Sequence, residues 1–329
     1  MKRNAKIAAT GSYAPERILT NQYFNDLLGE DVDTWLVDNL TIRERHWCSA
    51  GESTADLAFH AANNAIVNAG LSVDDIDLIL LSTDTPEYIS PSTASVVQYR
   101  LGAKNAGTFD INTACAGFVT ALDTGAKYII SDEQYRNVLV IGAYAMSKYL
   151  NMQDKKTVTL FADGAGAVIL QATNEDTGFM TSLLETRGRY HDWMGIYAGG
   201  THQPIDDHAL REKNQLLKFV RKFPKELNPD TWTRMVRQVL QKAGFTPKDI
   251  DMIFFTQINI NSIRQTMENL GLKPEQTHTI MDRYAYTGSA CIPMALAEAV
   301  SQGKLNNEDL VVFMGSGGGL AFACAVFKW

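Results

Sequence analysis

One stretch of this amino-acid sequence occurs twice. Residues 69–79, AGLSVDDIDLI, match residues 243–253, AGFTPKDIDMI, without a gap, so that Gly70 aligns with Gly244. Ala121-Leu122 matches Ala295-Leu296 at the same offset, and a looser match follows in the apolar segment beyond each pair. Three matches in one order indicate an internal duplication, the feature that most limits the possible folds. The chain is predicted to be two copies of one unit.

Each copy alternates helical and strand patterns. In the first copy, apolar residues recur at helical spacing between Ala58 and Ala69 and stop at Gly70, where a helix is expected to end. The short apolar run Leu78–Leu81 then predicts a buried strand. Alternating helices and buried strands indicate sheets covered by helices, so the fold class is α/β with a layered α/β/α arrangement.

The duplication also defines the predicted domains. We assign residues 1–173 to an N-terminal half and residues 174–329 to a C-terminal half. At about residues 187–229, polar and aromatic residues and the pair Gly199-Gly200 interrupt the helix and strand patterns. This inserted segment is interpreted either as a cover over an active site or as a long connection.

Composition argues against several classes of protein. With 45% hydrophobic and 20% charged residues, the chain is neither disordered nor a coiled coil. The net charge is −7 and no basic run exceeds the Lys155-Lys156 pair, so nucleic acid is not expected as a partner. Four glycines among Gly315–Gly319 make the apolar stretch Leu310–Phe327 a poor membrane span. No secretory signal is visible, and we expect a cytoplasmic protein.

Cys115 is the residue whose surroundings most indicate chemistry. The four cysteines have neither disulfide nor metal-ligand spacing, and at the duplicated position Cys115 faces Ser289. A strand pattern ends just before Cys115 and a helical pattern follows, which predicts a place near a helix N-terminus, where thiolate is favoured. A thiolate is a nucleophile for acyl groups. The alternative is a small residue needed where strand and helix pack closely.

A glycine-rich turn is the second candidate feature. The segment Met314–Leu320, MGSGGGL, follows the apolar run Leu310–Phe313. Consecutive glycines let backbone approach closely and leave N–H groups unshielded, which suits an oxyanion hole in acyl transfer. A plain turn between two core strands would have the same sequence.

Several motifs together resemble the β-ketoacyl-acyl-carrier-protein synthase III family of the thiolase superfamily, and the resemblance runs from about residue 5 to Trp329. They are DINTACAGF at 110–118, FADGAGA at 161–167, IRERH at 42–46 and GGG at 317–319. The resemblance implies a five-layered αβαβα sandwich of two duplicated halves and a homodimer. It also implies no cofactor beyond the thioester substrates.

The resemblance further implies an activity. Family members take an acyl group from coenzyme A onto a cysteine and condense it with malonyl carried by acyl carrier protein. Cys115 matches this nucleophile, and Gly318 matches the backbone donor that stabilises the oxyanion together with the Cys115 N–H. Coenzyme A thioesters or acyl carrier protein are therefore the expected partners.

Two catalytic positions depart from the family pattern. Thr256 stands where the family has histidine, and Tyr286 stands where it has asparagine. Both replacements keep a hydroxyl donor, but neither can act as a base near pH 7. Tyr286 is alternatively a filler of the vacated space, and His202 is the one histidine considered as a substitute base.

The binding positions depart as well. Trp35 matches a tryptophan that stacks on the coenzyme A adenine, but Asn39 and Asn261 each replace an arginine, which asparagine cannot imitate. Ser90 stands where a phenylalanine often reaches into the partner subunit's acyl pocket, so a longer or branched acyl chain is expected to fit. The residues predicted to bind substrate are Trp35, Asn39, Ser90, Gln257, Asn259 and Asn261.

Three functions are consistent with these residues. The first is a condensing enzyme that joins the acyl group on Cys115 to a malonyl-type extender in fatty-acid or polyketide-like biosynthesis. The second is an acyltransferase that passes the acyl group to an oxygen, nitrogen or sulfur nucleophile. The third is a non-catalytic partner subunit, which would not need an intact Cys115 and glycine turn.

Overall fold

The computed structural model describes residues 3–329, which form thirteen strands and eleven α-helices. The strands are β1 Asn4–Tyr13, β2 Ile18–Thr20, β3 Glu44–His46, β4 Leu78–Ser82, β5 Gly107–Ile111, β6 Asn137–Ala145, β7 Asp163–Thr173, β8 Gly178–Tyr190, β9 Met194–Gly195, β10 Lys218–Phe219, β11 Met252–Phe255, β12 Leu310–Gly317 and β13 Gly319–Lys328.

The helices show the capping and amphipathic patterns expected from the sequence. For example, the Ser53 and Asp56 side chains form a capping box at the first turn of the third helix, and Gly244 ends the eighth helix in a left-handed conformation. The helices are α1 Asn21–Leu28, α2 Asp33–Leu40, α3 Thr54–Asn68, α4 Thr93–Leu101, α5 Gly117–Ser131, α6 Lys155–Val158, α7 Asp207–Arg211, α8 Leu227–Ala243, α9 Ile260–Leu270, α10 Met281–Tyr284 and α11 Cys291–Ser301.

Two large sheets contain most of the strands. The first has the order β1-β7-β6-β4-β5, in which β4 runs parallel to β5 and β6. The second has the order β11-β12-β13-β8, with β11 parallel to β12. A single bridge between Ile253 and Thr277 occupies the position that β5 has in the first sheet. The two sheets therefore share one topology.

The sheets and helices form five layers. Helices α5 and α11 lie between the sheets: α5 contacts β4 and β6 as well as β12 and β13, and α11 contacts β7 and β11. Helices α3 and α4 pack on the outer face of the first sheet, and α8 packs on the outer face of the second. Buried aliphatic and aromatic side chains fill the space between layers. The predicted layered α/β fold of two duplicated units is confirmed.

The predicted inserted segment is shorter than expected. Residues 187–190 continue β8, and residues 227–229 open α8, so the irregular part is 191–226. The alternating pattern of β8 is hard to see in the sequence because charged residues occupy its less exposed positions. Two of them, Glu185 and Arg187, form an ion pair at 2.9 Å. The predicted division after residue 173 falls between β7 and β8. Within residues 3–329, no helix is long and apolar enough to cross a membrane.

Candidate active site

Cys115 lies in a tight turn between β5 and α5. Ala114 takes the left-handed region at φ 46°, and α5 begins two residues after Cys115, at Gly117. A side chain at Gly117 would collide with Ser82 at the end of β4, so the helix start can approach the sheet only with glycine there. The turn places Cys115 at the buried carboxyl end of the parallel strands, 3% exposed.

Burial dominates the chemistry of the Cys115 thiol. Desolvation raises the pKa of Cys115 well above the ordinary value, and the nearby Asp84 carboxylate raises it further. A side-chain hydrogen bond with Tyr286 opposes the rise. The position before α5 agrees with the sequence-based expectation, but the net shift runs opposite to the expected preference for thiolate. The direction of the shift favours the protonated thiol over the thiolate.

Tyr286 is in direct contact with this thiol. Its hydrogen bond with Cys115 raises the pKa of the Tyr286 phenol, as does complete burial. The backbone is fixed on both sides, because the Tyr286 N–H donates to Leu160 O at 3.0 Å and Tyr286 O accepts from Ala162 N–H at 2.9 Å. The ring packs 5.4 Å from Phe161. Tyr286 therefore presents its hydroxyl to the nucleophile from a rigid position.

The glycine-rich turn lies on the other side of Cys115. A Cβ at Gly317 would clash with the backbone nitrogen of Cys115. Gly318 is the residue between β12 and β13, outside the strand ladder, and a Cβ there would lie 3.8 Å from Ala114 Cβ. The backbone of the turn and the Cys115 N–H therefore share one small space, the arrangement that an oxyanion hole requires.

Thr256 joins this group through the same turn. It follows β11, and its Oγ1 accepts a hydrogen bond from the Ser316 N–H at 2.8 Å. Ser316 lies between Gly315 and Gly317, which pack against Ala116 and Cys115. Because the Thr256 hydroxyl oxygen accepts from Ser316, its hydrogen is free to donate elsewhere. The structure thus brings together the four residues predicted to be catalytic: Cys115, Gly318, Thr256 and Tyr286.

Asp84 is a charged residue of the site that sequence reasoning missed. It follows β4 in the turn Thr83–Thr85, and its charge raises the pKa of Cys115, Tyr144 and Tyr149. Burial raises the pKa of Asp84 itself to about 6. The signal was available in the duplication, because Ile258 stands at the corresponding place in the second copy. A charged residue that occurs in only one copy of a duplicated buried turn is thus a sequence signal for a functional residue.

The irregular segment 191–226 packs over this site. Met194 lies 3.8 Å from where a Cβ of Gly318 would be, and Met194 pairs with Phe219 between β9 and β10. The Phe219 ring is 6.1 Å from Phe161, which in turn packs on Tyr286. Met194 and Phe219 of this segment therefore lie against the group of residues around Cys115, as the interpretation of a cover requires. His202, considered above as a base, lies exposed in this segment.

Comparisons with known proteins agree on one family. The family model described as 3-oxoacyl-[acyl-carrier-protein (ACP)] synthase III matches residues 109–188. The family model for the C-terminal part of the same enzymes matches residues 240–329. The β-ketoacyl-[acyl-carrier-protein] synthase III of Clostridium perfringens is 37% identical over 333 residues, covering 99% of both chains. That of Clostridioides difficile is 37% identical, covering 100% of this chain and 99% of its own. The chain belongs to the β-ketoacyl-[acyl-carrier-protein] synthase III family.

A solved structure of the family supports the same assignment. The 3-oxoacyl-[acyl-carrier-protein] synthase III of Aquifex aeolicus superposes with a TM-score of 0.89 at 31% identity, covering 99% of this chain and 100% of that one. The predicted family, its thiolase-like fold and its enzyme class, a transferase of the β-ketoacyl synthase III type, are confirmed.

A second group of predicted residues lies together at the surface. Trp35 on α2 is 55% exposed, and its carbonyl accepts from the Asn39 side chain at 3.0 Å. The Asn261 side chain of α9 donates to Asn39 O, also at 3.0 Å. The two asparagines that the resemblance predicts in place of arginines are thus in contact with one another. The exposed tryptophan ring remains available beside them.

The other predicted binding residues have different placements. The buried Gln257 amide donates to His278 O at 3.1 Å and accepts from the Ile280 N–H at 2.8 Å, so its contacts fix the segment 278–280. Asn259 caps α9 by accepting from the Asn261 N–H. Ser90 lies exposed in the loop before α4. For Gln257 and Asn259 the structure shows positioning contacts within the protein.

Proposed function

We propose that this synthase III-family chain takes an acyl group from an acyl thioester onto Cys115 and condenses it with a malonyl-type extender. The observation that carries the proposal is the placement of Cys115 between the Tyr286 hydroxyl and the glycine turn at 317–319. A nucleophile next to backbone donors is what acyl transfer needs.

In the loading step, the Cys115 sulfur attacks the thioester carbonyl. The new carbon–sulfur bond forms as the bond to the carrier sulfur breaks, and the proton of the Cys115 thiol ends on the released carrier thiol. Negative charge that develops on the carbonyl oxygen is stabilised by the N–H groups of Cys115 and Gly318. Because the pKa shift favours the protonated thiol, the proton must leave Cys115 as the new bond forms.

In the condensation step, the malonyl extender loses carbon dioxide and leaves an enolate. The enolate carbon attacks the acyl carbonyl, the bond to Cys115 breaks, and the Cys115 sulfur takes up a proton. We propose that the hydroxyls of Thr256 and Tyr286 donate to the enolate oxygen in place of the histidine and asparagine of the family pattern. Their burial, 1% exposed each, supports this role because a hydrogen bond is stronger away from water.

The replaced pair also supports a second candidate, an acyltransferase that moves the acyl group to an oxygen, nitrogen or sulfur nucleophile. Neither hydroxyl removes a proton near neutral pH, because burial raises the pKa of Tyr286 well above its ordinary value. If the two hydroxyls only fill space, the acylated enzyme has no donor set for decarboxylation. A non-catalytic subunit is the third candidate, and it is disfavoured by the intact Cys115.

We further propose a homodimer that uses coenzyme A or acyl carrier protein as the acyl donor. Strand β5 is an edge of its sheet, and the exposed side chains of Ile89 (84%) and Tyr99 (84%) lie in the elements preceding it. An unpaired edge beside apolar surface is suited to pairing with a second copy. A dimer mass in light scattering supports this assembly, and a monomer at micromolar concentration contradicts it.

The test of the function uses labelled malonyl carrier and an acyl donor panel. Wild-type protein is expected to release carbon dioxide, and Thr256→Val and Tyr286→Phe should each lower the rate about 10-fold or more, since each removes one transition-state hydrogen bond. Tyr135→Phe, beyond the far end of α5, is the matched control and should not change it. Acyl loading without carbon dioxide release would favour the acyltransferase.

A further inference from the structure

Asp84 is held beside Cys115 by the fold. Strand β4 pairs in parallel with β5, and the ladder continues with the Thr83 N–H donating to Ile111 O at 3.2 Å. Ser82, two residues before Asp84, packs against Gly117, two residues after Cys115. The two turns therefore run side by side at the carboxyl end of the strands, where ligands of open α/β sheets bind.

The neighbours of Asp84 are fully engaged with the protein. The Thr85 N–H donates to Thr83 Oγ1 at 3.0 Å, and Thr85 Oγ1 accepts from the Ala145 N–H at 2.9 Å. The Thr54 hydroxyl donates to Thr85 O at 2.5 Å. These bonds fix the turn on both sides of Asp84. The bonds of its neighbours thus position the Asp84 carboxylate.

The Asp84 carboxylate itself is incompletely bonded. Within residues 3–329, its Oδ1 is inaccessible to solvent and has no hydrogen-bond partner. The groups that sense its charge are the hydroxyls of Tyr144 and Tyr149 and the Cys115 thiol. None of these is a cation. A buried carboxylate oxygen without a donor is costly, so the donor that Oδ1 lacks is expected from a ligand that enters the site.

Because the turns of Asp84 and Cys115 lie side by side, an acyl chain on Cys115 would start next to Asp84. An unsubstituted aliphatic chain would cover Oδ1 with methylene groups and leave it without a donor. A chain that carries a hydroxyl or an ammonium would supply the donor, and the ammonium would also offset the charge. Within residues 3–329, no basic residue is among the groups that shift the pKa of Asp84 or of Cys115.

We infer that this enzyme selects acyl primers whose chain carries a hydrogen-bond donor, either a hydroxyl or a protonated amine, and that Asp84 Oδ1 is the acceptor that recognises it. The inference rests on the proposed loading of Cys115 and names the class of acyl group that is loaded. Ile258 stands at the equivalent place in the second copy, so the charge of Asp84 is not a requirement of the turn itself.

The test compares loading rates of the full chain by intact-protein mass. The donors are isosteric trios of coenzyme A thioesters that end in methyl, hydroxyl or ammonium: butyryl, 3-hydroxypropionyl and β-alanyl, and the corresponding heptanoyl, 6-hydroxyhexanoyl and 6-aminohexanoyl. Two chain lengths are used so that the result does not depend on one distance between the thioester carbonyl and the terminal group. Wild type should load a donor-bearing primer about 10- to 100-fold faster than its methyl isostere at one of the two lengths.

The variants separate recognition from folding. Asp84→Leu should reverse the preference in favour of the methyl isostere, and Asp84→Asn should lose the ammonium preference while the hydroxyl remains accepted. Asp123→Asn is the matched control, because Asp123 is a buried carboxylate that bonds Ser182 and Lys127 instead, and it should keep the wild-type ratio.

The outcomes distinguish this inference from the function on which it rests. Faster loading of the methyl isostere by wild type at both lengths overturns it, as does an unchanged ratio in Asp84→Leu. If a variant does not fold, the wild-type ratio alone decides. No adduct on wild type from any donor would instead contradict the proposed loading of Cys115, and the inference with it.

Discussion

The two halves of the molecule build the same turn and use it differently. Ala114 and Gly288, which correspond in the duplication, both take positive φ, at 46° and 49°, before a residue that faces the interior. In the N-terminal half this residue is Cys115, whose thiol meets Tyr286. In the C-terminal half it is Ser289, whose hydroxyl donates to Ala143 O at 2.8 Å. The residue in one turn faces a tyrosine side chain, and the residue in the other bonds a backbone acceptor.

Each half of the molecule supplies a glycine that packs against the turn of the other half. A Cβ at Gly317, at the end of β12 in the C-terminal half, would clash with Cys115, and a Cβ at Gly142 in β6 of the N-terminal half would clash with Ser289. Each half thus needs the other to complete its turn. The duplication therefore provides the frame, Cys115 and Asp84 distinguish the N-terminal half from Ser289 and Ile258 in the C-terminal half, and the C-terminal half contributes Thr256 and Tyr286 to the same site.

The largest effect on the loading rate is expected at one of the two glycines that pack against these turns, Gly317 and Gly142. Gly317→Ala must displace the Cys115 backbone N–H, so the loading rate should fall about 10²- to 10³-fold. Gly142→Ala meets backbone equally closely in the other turn and should lower stability by about 1 to 3 kcal/mol, with loading changed less than tenfold. Rates from intact-protein mass and urea unfolding check both. Equal losses of loading in the two variants would contradict the claim that the two turns differ in function.

The next effect concerns the charge that distinguishes the N-terminal turn. Because burial raises the pKa of Asp84 to about 6, the folded state binds more protons than the unfolded state between about pH 4 and pH 6, and stability falls as the pH rises through this window. Asp84→Asn should remove that fall and be more stable than wild type above pH 6, by about 1 to 3 kcal/mol.

A control with the opposite sign sharpens this measurement. Hydrogen bonds from Thr246 lower the pKa of Asp249, so Asp249 stabilises the folded state above its ordinary pKa and loses that contribution as the pH falls. Unfolding curves of Asp84→Asn and Asp249→Asn over pH 4 to 8 should diverge in opposite directions from wild type. Parallel curves for wild type and Asp84→Asn would show that Asp84 is not buried as a charge.

The smallest effect is expected at the turn of the C-terminal half. Ser289→Ala removes one buried hydrogen bond to Ala143 O and should lower the free energy of unfolding by about 1 kcal/mol. Its loading rate should match that of wild type, because Ser289 faces the first sheet and not the nucleophile. A loss of loading in Ser289→Ala would mean that both turns take part in the chemistry.

Much of the fold was predictable because the repeat is ungapped. The 3₁₀ turn Val73–Asp75 recurs at Pro247–Asp249, and β4 and β11 begin at corresponding positions of the two copies, Leu78 and Met252. The position of Cys115 ahead of a helix followed from the change of hydrophobic period. The exact end of β8 was not predictable, because β8 carries charged residues on its outer face. Its pairing with β13 also joins segments that are far apart in the sequence.

The proximity of the candidate site residues was predictable from the resemblance, and their energetics were less so. The resemblance to the synthase III family placed Thr256 and Tyr286, but the direction of the Cys115 pKa shift depends on burial and on Asp84, which only the packed structure brings near. The contacts of the Gln257 amide with residues 278 and 280 likewise arise from folding. Sequence spacing shows which residues are near a turn, and not which groups remain unpaired.

The most direct test of the account is where an acyl group resides on the protein. After incubation with a reactive acyl donor, wild type and Cys324→Ala, which removes a buried thiol in β13, should each show one acyl adduct that maps to the peptide containing Cys115. Cys115→Ala should show none. An adduct of the same mass that persists in Cys115→Ala would contradict the assignment of Cys115 as the nucleophile.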